Sequence, residues 1–158
     1  MSKTYLLSLL CLSLGGFVLS GANPPNVILM MADDLGYNDL SCYGSKRQKT
    51  PVLDKLAEEG LRLTSFYAGA TVCTPSRMAL LTGAYPPRLG WNGGVVGYGL
   101  KPQNGLAPQA RTMGEVFKEA GYKTALIGKW HLGDTPELHP KGQGFDLTYF
   151  IDKSNNQT

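Results

Sequence analysis

The sequence predicts an α/β fold built on a mostly parallel sheet, and three observations carry that reading. Short apolar runs of strand length recur at Val27–Ala32, Leu61–Tyr67 and Tyr122–Ile127. Helix-start signals stand between them: Thr50-Pro51, Thr74-Pro75 and the Thr112-x-x-Glu115 box. The order strand, helix, strand implies crossover connections, which right-handed chain geometry resolves as parallel pairing. At 158 residues the chain can bury one core.

Composition narrows the class. Hydrophobic residues make up 42% and charged residues 17%, which suits a globular chain rather than a disordered one. The net charge of +3 comes with no basic run, which argues against a nucleic-acid partner. Residues 1–22 form their own segment. Lys3 supplies a positive start, Leu6–Leu19 is nearly all apolar or small, and Ser20-Gly21-Ala22 offers a cleavage site. The run is short for a membrane span of about 20 residues, so a cleaved signal peptide with no stable span is expected. The chain is then exported, to a periplasm or the medium, or to a lysosome or the exterior of a eukaryotic cell. Cys11 would leave with the signal, and the mature chain would keep Cys42 and Cys73.

The elements follow in order. Val27–Ala32 reads as a strand buried on both faces, and it ends in Asp33-Asp34-Leu35-Gly36-Tyr37. Two adjacent carboxylates there are either a solvated turn or a metal-binding pair. After Thr50-Pro51, Val52, Leu53, Leu56 and Ala57 make one apolar helix face, and Gly60 stops it. Leu61–Tyr67 is a second strand. Thr74 caps a helix with Pro75 at its first position, Met78, Leu80 and Leu81 pack it, and Gly83 closes it. Residues 84–110, rich in Gly and Pro, form a long ordered loop anchored by Trp91 and the tyrosines. Val116, Phe117 and Ala120 carry a helix that Gly121 ends, before the third strand. The tail from Thr135 to Thr158 reads as loop, with Gly142–Asp146 a tight turn. Asn156-Gln157-Thr158 matches a glycosylation acceptor by pattern alone.

Three groups of chemistry-bearing residues are then expected beyond the carboxyl ends of strands: Asp33 with Asp34, Cys73 with Arg77, and Lys129 with His131. Carboxylate oxygens suit calcium or magnesium. Arg77, one helical turn from Cys73, and Lys129 can neutralise a tetrahedral oxyanion, and His131 can move protons near neutral pH. Lys129 and His131 would share one side of an extended backbone. A thiolate is a poor ligand for a hard cation, and an oxygen-bearing replacement at position 73 removes that mismatch. Cys42 and Cys73 could instead pair as a disulfide.

Cys73-Thr74-Pro75-Ser76-Arg77, followed by Leu81-Thr82-Gly83, resembles the signature of the formylglycine-dependent (type I) sulfatases. Pro25–Ile28 with Ala32–Tyr37, Gly128-Lys129-Trp130-His131-Leu132-Gly133 and Gly144-Phe145-Asp146 resemble further motifs of that family, in its order. The resemblance implies an alkaline-phosphatase-like sandwich and hydrolysis of sulfate esters, aryl sulfates or sulfated carbohydrates. It implies that a formylglycine-generating enzyme oxidises Cys73 to formylglycine, whose hydrate is the nucleophile and a calcium ligand beside Asp33 and Asp34. Arg77 and Lys129 would hold the hydrate and its charge, Lys129 also meeting substrate, and His131 would hydrogen-bond or deprotonate its second hydroxyl. Ser154 corresponds to a substrate-side serine. Residues 23–158 would be the N-terminal portion of the catalytic domain, because the family's other metal ligands and its leaving-group acid have no counterpart after His131. Residues 23–158 alone are therefore expected to turn over little substrate. A non-catalytic remnant, or a phosphoester or phosphonate hydrolase of the same superfamily, is the alternative.

Overall fold

The computed structural model describes residues 23–96, 105–133 and 135–151. Residues 1–22, expected to be a signal peptide, Ser154 and the Asn156 acceptor pattern lie outside them. The chain falls into two compact units, Met1–Ala32 and Asp33–Thr158.

In the first unit the described residues, 23–32, form neither helix nor strand. Val27 to Met31 are 41–83% exposed. The expected strand is therefore not formed. An apolar run sets a preference for extended backbone, but a strand exists only when a neighbour takes up its N–H and C=O groups, and these residues pair with none among those described.

The described residues of the second unit form three α-helices and a two-stranded sheet. Helix α1 spans Pro51–Glu59, α2 Cys73–Thr82 and α3 Met113–Glu119; strand β1 spans Ala125–Lys129 and β2 Leu147–Ile151. Short 3-10 turns fill the connections. The two strands pair in parallel, with Ala125 opposite Leu147 and Lys129 opposite Ile151. Parallel pairing is as expected, but the strands are not all where the sequence placed them. Leu61–Tyr67 carries no ladder, although its backbone is used: the Tyr43 hydroxyl donates to the Leu63 carbonyl at 3.0 Å. The third strand starts at Ala125 rather than Tyr122, because Thr124 is occupied by the chain ahead of β2. Its hydroxyl donates to the Gly144 carbonyl at 2.7 Å, and its carbonyl accepts from Asp146 and Leu147 at 3.0 Å. The tail read as loop contains β2, whose Leu-Thr-Tyr-Phe-Ile alternation suits a strand.

Local signals fare better than the strands. Thr112 and Glu115 form the reciprocal capping box, Glu115 N–H donating to the Thr112 hydroxyl at 3.2 Å and Thr112 N–H to the Glu115 carboxylate at 2.8 Å. Gly83 closes α2 at φ 67°, its N–H donating to the Ala79 carbonyl at 2.9 Å. Gly60 ends α1, whose residues Val52, Leu53 and Leu56 stay exposed. Thr74 does not cap α2. The N-cap is Val72, Cys73 is the first helical residue and Pro75 the third, where a missing N–H still costs nothing.

The core is small and aromatic. Met78 of α2, Trp91, Val96, Leu106, Trp130, Leu132 and Phe145 form one buried cluster, with Leu126 and Phe150 packed on it from the sheet. Trp130 meets Phe145 edge-on at 6.1 Å and donates from Nε1 to the Leu138 carbonyl at 2.9 Å. Trp91 anchors the long loop as expected, donating to the Gly94 carbonyl at 3.2 Å, whereas Tyr85 is exposed. Gly144 sits at φ 92°, so close to α3 that a Cβ would lie 2.2 Å from the Glu115 nitrogen. Lys118 reaches Asp146 at 2.8 Å across the same junction. That ammonium, hydrogen-bonded to the carboxylate, is the main reason the Asp146 pKa falls to about 2.

Candidate active site

Lys129, the last residue of β1, places its ammonium 2.7 Å from one Asp33 oxygen. Arg77, on the second turn of α2, reaches the other Asp33 oxygen at 3.5 Å. The same guanidinium donates to the Lys129 carbonyl at 2.8 Å, which ties α2 to the end of β1. Residues separated by 44 and 96 positions thus meet on one carboxylate. The sequence placed each group beyond a strand end. Only Lys129 is at one; Asp33 follows an unpaired segment and Cys73 begins a helix.

The two cations are largely covered, with 11% and 15% of their side chains exposed, while Asp33 is 45% exposed. The hydrogen bond from Lys129 is the largest of the influences that hold the Asp33 carboxyl below its ordinary 3.8. Asp34 is exposed, sits at φ 57° and makes no ion pair with any described residue. Cys73 is half-buried at the first position of α2, and Cys42 and Cys73 are both free thiols, so the disulfide alternative is not formed. Among the described residues no three His, Cys, Asp or Glu side chains gather into a metal-binding group. Asp33 and Asp34 therefore fit only part of the six to eight oxygens that calcium takes.

His131 is 1% exposed. The extended backbone from which a shared side with Lys129 was expected stops at Lys129, and His131 itself has φ 57°. Its Nε2 lies 3.2 Å from the Val96 carbonyl, and its Nδ1 is buried without a partner. Arg77 Nε is likewise buried and unpartnered. Both Gln143 side-chain polar atoms are buried without a partner among the described residues as well, so these open valences extend beyond the Asp33 cluster. Sequence reasoning missed two participants. Thr74 is wholly buried, donating to the His131 carbonyl at 2.9 Å and accepting from Val96 N–H at 3.1 Å. Its cap-like position before Pro75 hid that role, and Val96 carries no signal at all.

Burial, more than any neighbouring charge, lowers the His131 pKa from its ordinary 6.5. The unfolded chain then binds the proton first on acidification. Stability from this group is full above about 6.5 and is lost as pH falls through the folded value. Asp33 acts in the same direction at lower pH: its contribution is full above 3.8 and fades as its own carboxyl protonates. Urea midpoints are expected to drop between about pH 7.5 and about pH 5.5, and to drop less in His131→Asn. Equal drops in both proteins would contradict the assignment.

A family model described as Sulfatase matches residues 25–158. The chain belongs to the sulfatase family. This sulfatase chain is 50% identical over 141 residues to mouse (Mus musculus) steryl-sulfatase, covering 84% of itself and 23% of that relative. It is 48% identical over 143 residues to human (Homo sapiens) arylsulfatase A, covering 88% of itself and 27% of the relative. It spans about a quarter of the length of these curated relatives. The crystal structure of Ps i-CgsB superposes with a TM-score of 0.75 at 41% identity, over 81% of this chain and 28% of that one. The same protein's complex with k-i-k-neocarrahexaose gives 0.68 at 39% identity, over 75% and 26%. The fold is thus that of the sulfatases, the alkaline-phosphatase-like α/β architecture, with its parallel pairing seen here in β1 and β2.

Proposed function

We propose that this chain supplies the nucleophile side of a sulfuric ester hydrolase. The observation that carries the reading is the meeting of Arg77 and Lys129 on Asp33, with Arg77 one helical turn from Cys73. Cys73 is the residue that a formylglycine-generating enzyme converts to formylglycine, which supplies the oxygen nucleophile a thiol lacks. Asp33 and Asp34 would hold part of a calcium shell, and the ion would supply Lewis-acid polarisation of substrate oxygen. Arg77 offers its guanidinium charge to a sulfate oxygen, and Lys129 adds a second positive charge that can also meet substrate. Asp33 keeps both cations oriented while the site is empty of anion. His131, neutral by virtue of its burial, holds a proton acceptor close to this charge cluster.

The substrate is a sulfate ester, either an aryl sulfate or a sulfated carbohydrate. The steryl and aryl names of the relatives and the oligosaccharide in the neighbouring complex support that class. The leading segment 1–22 serves export to the periplasm or beyond, Ser154 joins the substrate side, and residues 23–158 belong to one catalytic domain.

Hydrolysis of an aryl sulfate with added calcium tests the reading. Turnover by the aldehyde-bearing chain, alone or joined to the polypeptide that completes it, is expected to vanish in Cys73→Ala. Turnover that survives the substitution would remove Cys73 from the mechanism.

A further inference from the structure

Thr74, Val96 and His131 close a ring of three buried hydrogen bonds. The Thr74 hydroxyl donates to the His131 carbonyl at 2.9 Å, Val96 N–H donates to the same hydroxyl at 3.1 Å, and the His131 ring meets the Val96 carbonyl at 3.2 Å. A hydroxyl can donate once and accept, and here both capacities are used on backbone. A carbonyl can only accept, so Nε2 must carry the proton in the neutral ring, and Nδ1 is left with its lone pair. Nδ1 is buried and has no partner.

We propose that Thr74 is a positioning residue which sets the tautomer of His131, holding it as the Nε2–H form with Nδ1 as the site's acceptor. The hydroxyl acts at a distance from the ring. It fixes the His131 backbone, at its φ of 57°, relative to the Val96 segment whose carbonyl is the ring's acceptor among the described residues. Without it the Val96 N–H loses its buried partner, and the next peptide, which carries the Val96 carbonyl on the same Cα, is no longer held against the ring. The charged groups that bear on the imidazole are Lys129, Arg77 and Asp33, and none of them accepts from Nε2. The use to which Nδ1 is put, taking a proton from an O–H donor, rests on the sulfatase reading. The tautomer itself does not.

Long-range proton–nitrogen correlation on the ¹⁵N-labelled full chain near neutral pH reads this without turnover. The sequence contains two histidines, so His139, whose Nδ1 faces the Lys141 N–H at 3.4 Å, is an internal control. Wild type is expected to show His131 as the Nε2–H tautomer. Thr74→Val, close in shape but without the hydroxyl, is expected to give a mixture of tautomers at His131 with His139 unchanged. Thr74→Ser, which restores the hydroxyl, is expected to return the wild-type pattern. The proposal is overturned by an Nδ1–H tautomer in wild type, by a wild-type pattern in Thr74→Val, or by a mixture in a folded Thr74→Ser. If Thr74→Val does not fold, Thr74→Ala, which also removes the hydroxyl, is read in its place, and a wild-type pattern there overturns the proposal. An absence of sulfate-ester hydrolysis would count against the sulfatase reading and leave the tautomer result standing.

Discussion

Trp130→Ala is expected to cost about 3–5 kcal/mol of folding stability, the range for removing a large buried aromatic ring. Trp130 is 1% exposed within a cluster of seven buried residues, so the cavity has few neighbours able to fill it. Domains of this kind hold about 5–15 kcal/mol in all, and the loss would be a large share. Of the two polar contacts of Trp130, the side-chain one is lost with the packing and the backbone one survives in alanine. The indole donates to the Leu138 carbonyl at 2.9 Å, and the backbone N–H donates to the Ile151 carbonyl at 3.0 Å, continuing the ladder beyond Lys129. Trp130 also stands between Lys129 and His131, so the ring that fills the core fixes the two residues flanking it in the site. Urea unfolding of wild type, Trp130→Phe and Trp130→Ala measures this. Phenylalanine keeps an aromatic ring and is expected to lie between the other two. A cost under about 1 kcal/mol for the alanine variant would show that the cluster is not the core of the unit.

Arg77→Ala is expected to weaken the binding of inorganic sulfate about 10- to 150-fold, the equivalent of a charge-assisted hydrogen bond of about 1.5–3 kcal/mol. The guanidinium has one nitrogen on Asp33 and one on the Lys129 carbonyl, so its plane is fixed before any anion arrives. Pre-aimed donors lose little entropy on binding. Arg77→Lys keeps the charge but not the planar fork, and is expected to recover only part of the affinity. Calorimetric titration with sulfate checks the series. Unchanged affinity in Arg77→Ala would place the anion elsewhere.

What could be read from the sequence was mostly local. The Thr112–Glu115 box, the closing Gly83 and the stop at Gly60 depend on a few neighbouring residues, and all three are found. Strands depend on partners that may lie far along the chain. Val27–Ala32 and Leu61–Tyr67 have strand composition and no ladder, while β2 was hidden in a segment whose prolines and glycines suggested loop. The site was legible as motifs and not as geometry. Asp33, Arg77 and Lys129 do converge, but through a helix and one strand end rather than three strand ends. Thr74 escaped because a threonine before a proline resembles a cap, and its long-range bonds to residues 96 and 131 leave no periodic trace.

Everything functional in this account turns on the chemical state of position 73. The direct measurement is mass spectrometry of the Cys73 peptide, from chain produced beside an active formylglycine-generating enzyme and trapped with a hydrazide. An aldehyde at position 73 and a free thiol at Cys42 are expected. An intact thiol at Cys73, or a disulfide joining it to Cys42, would contradict that expectation.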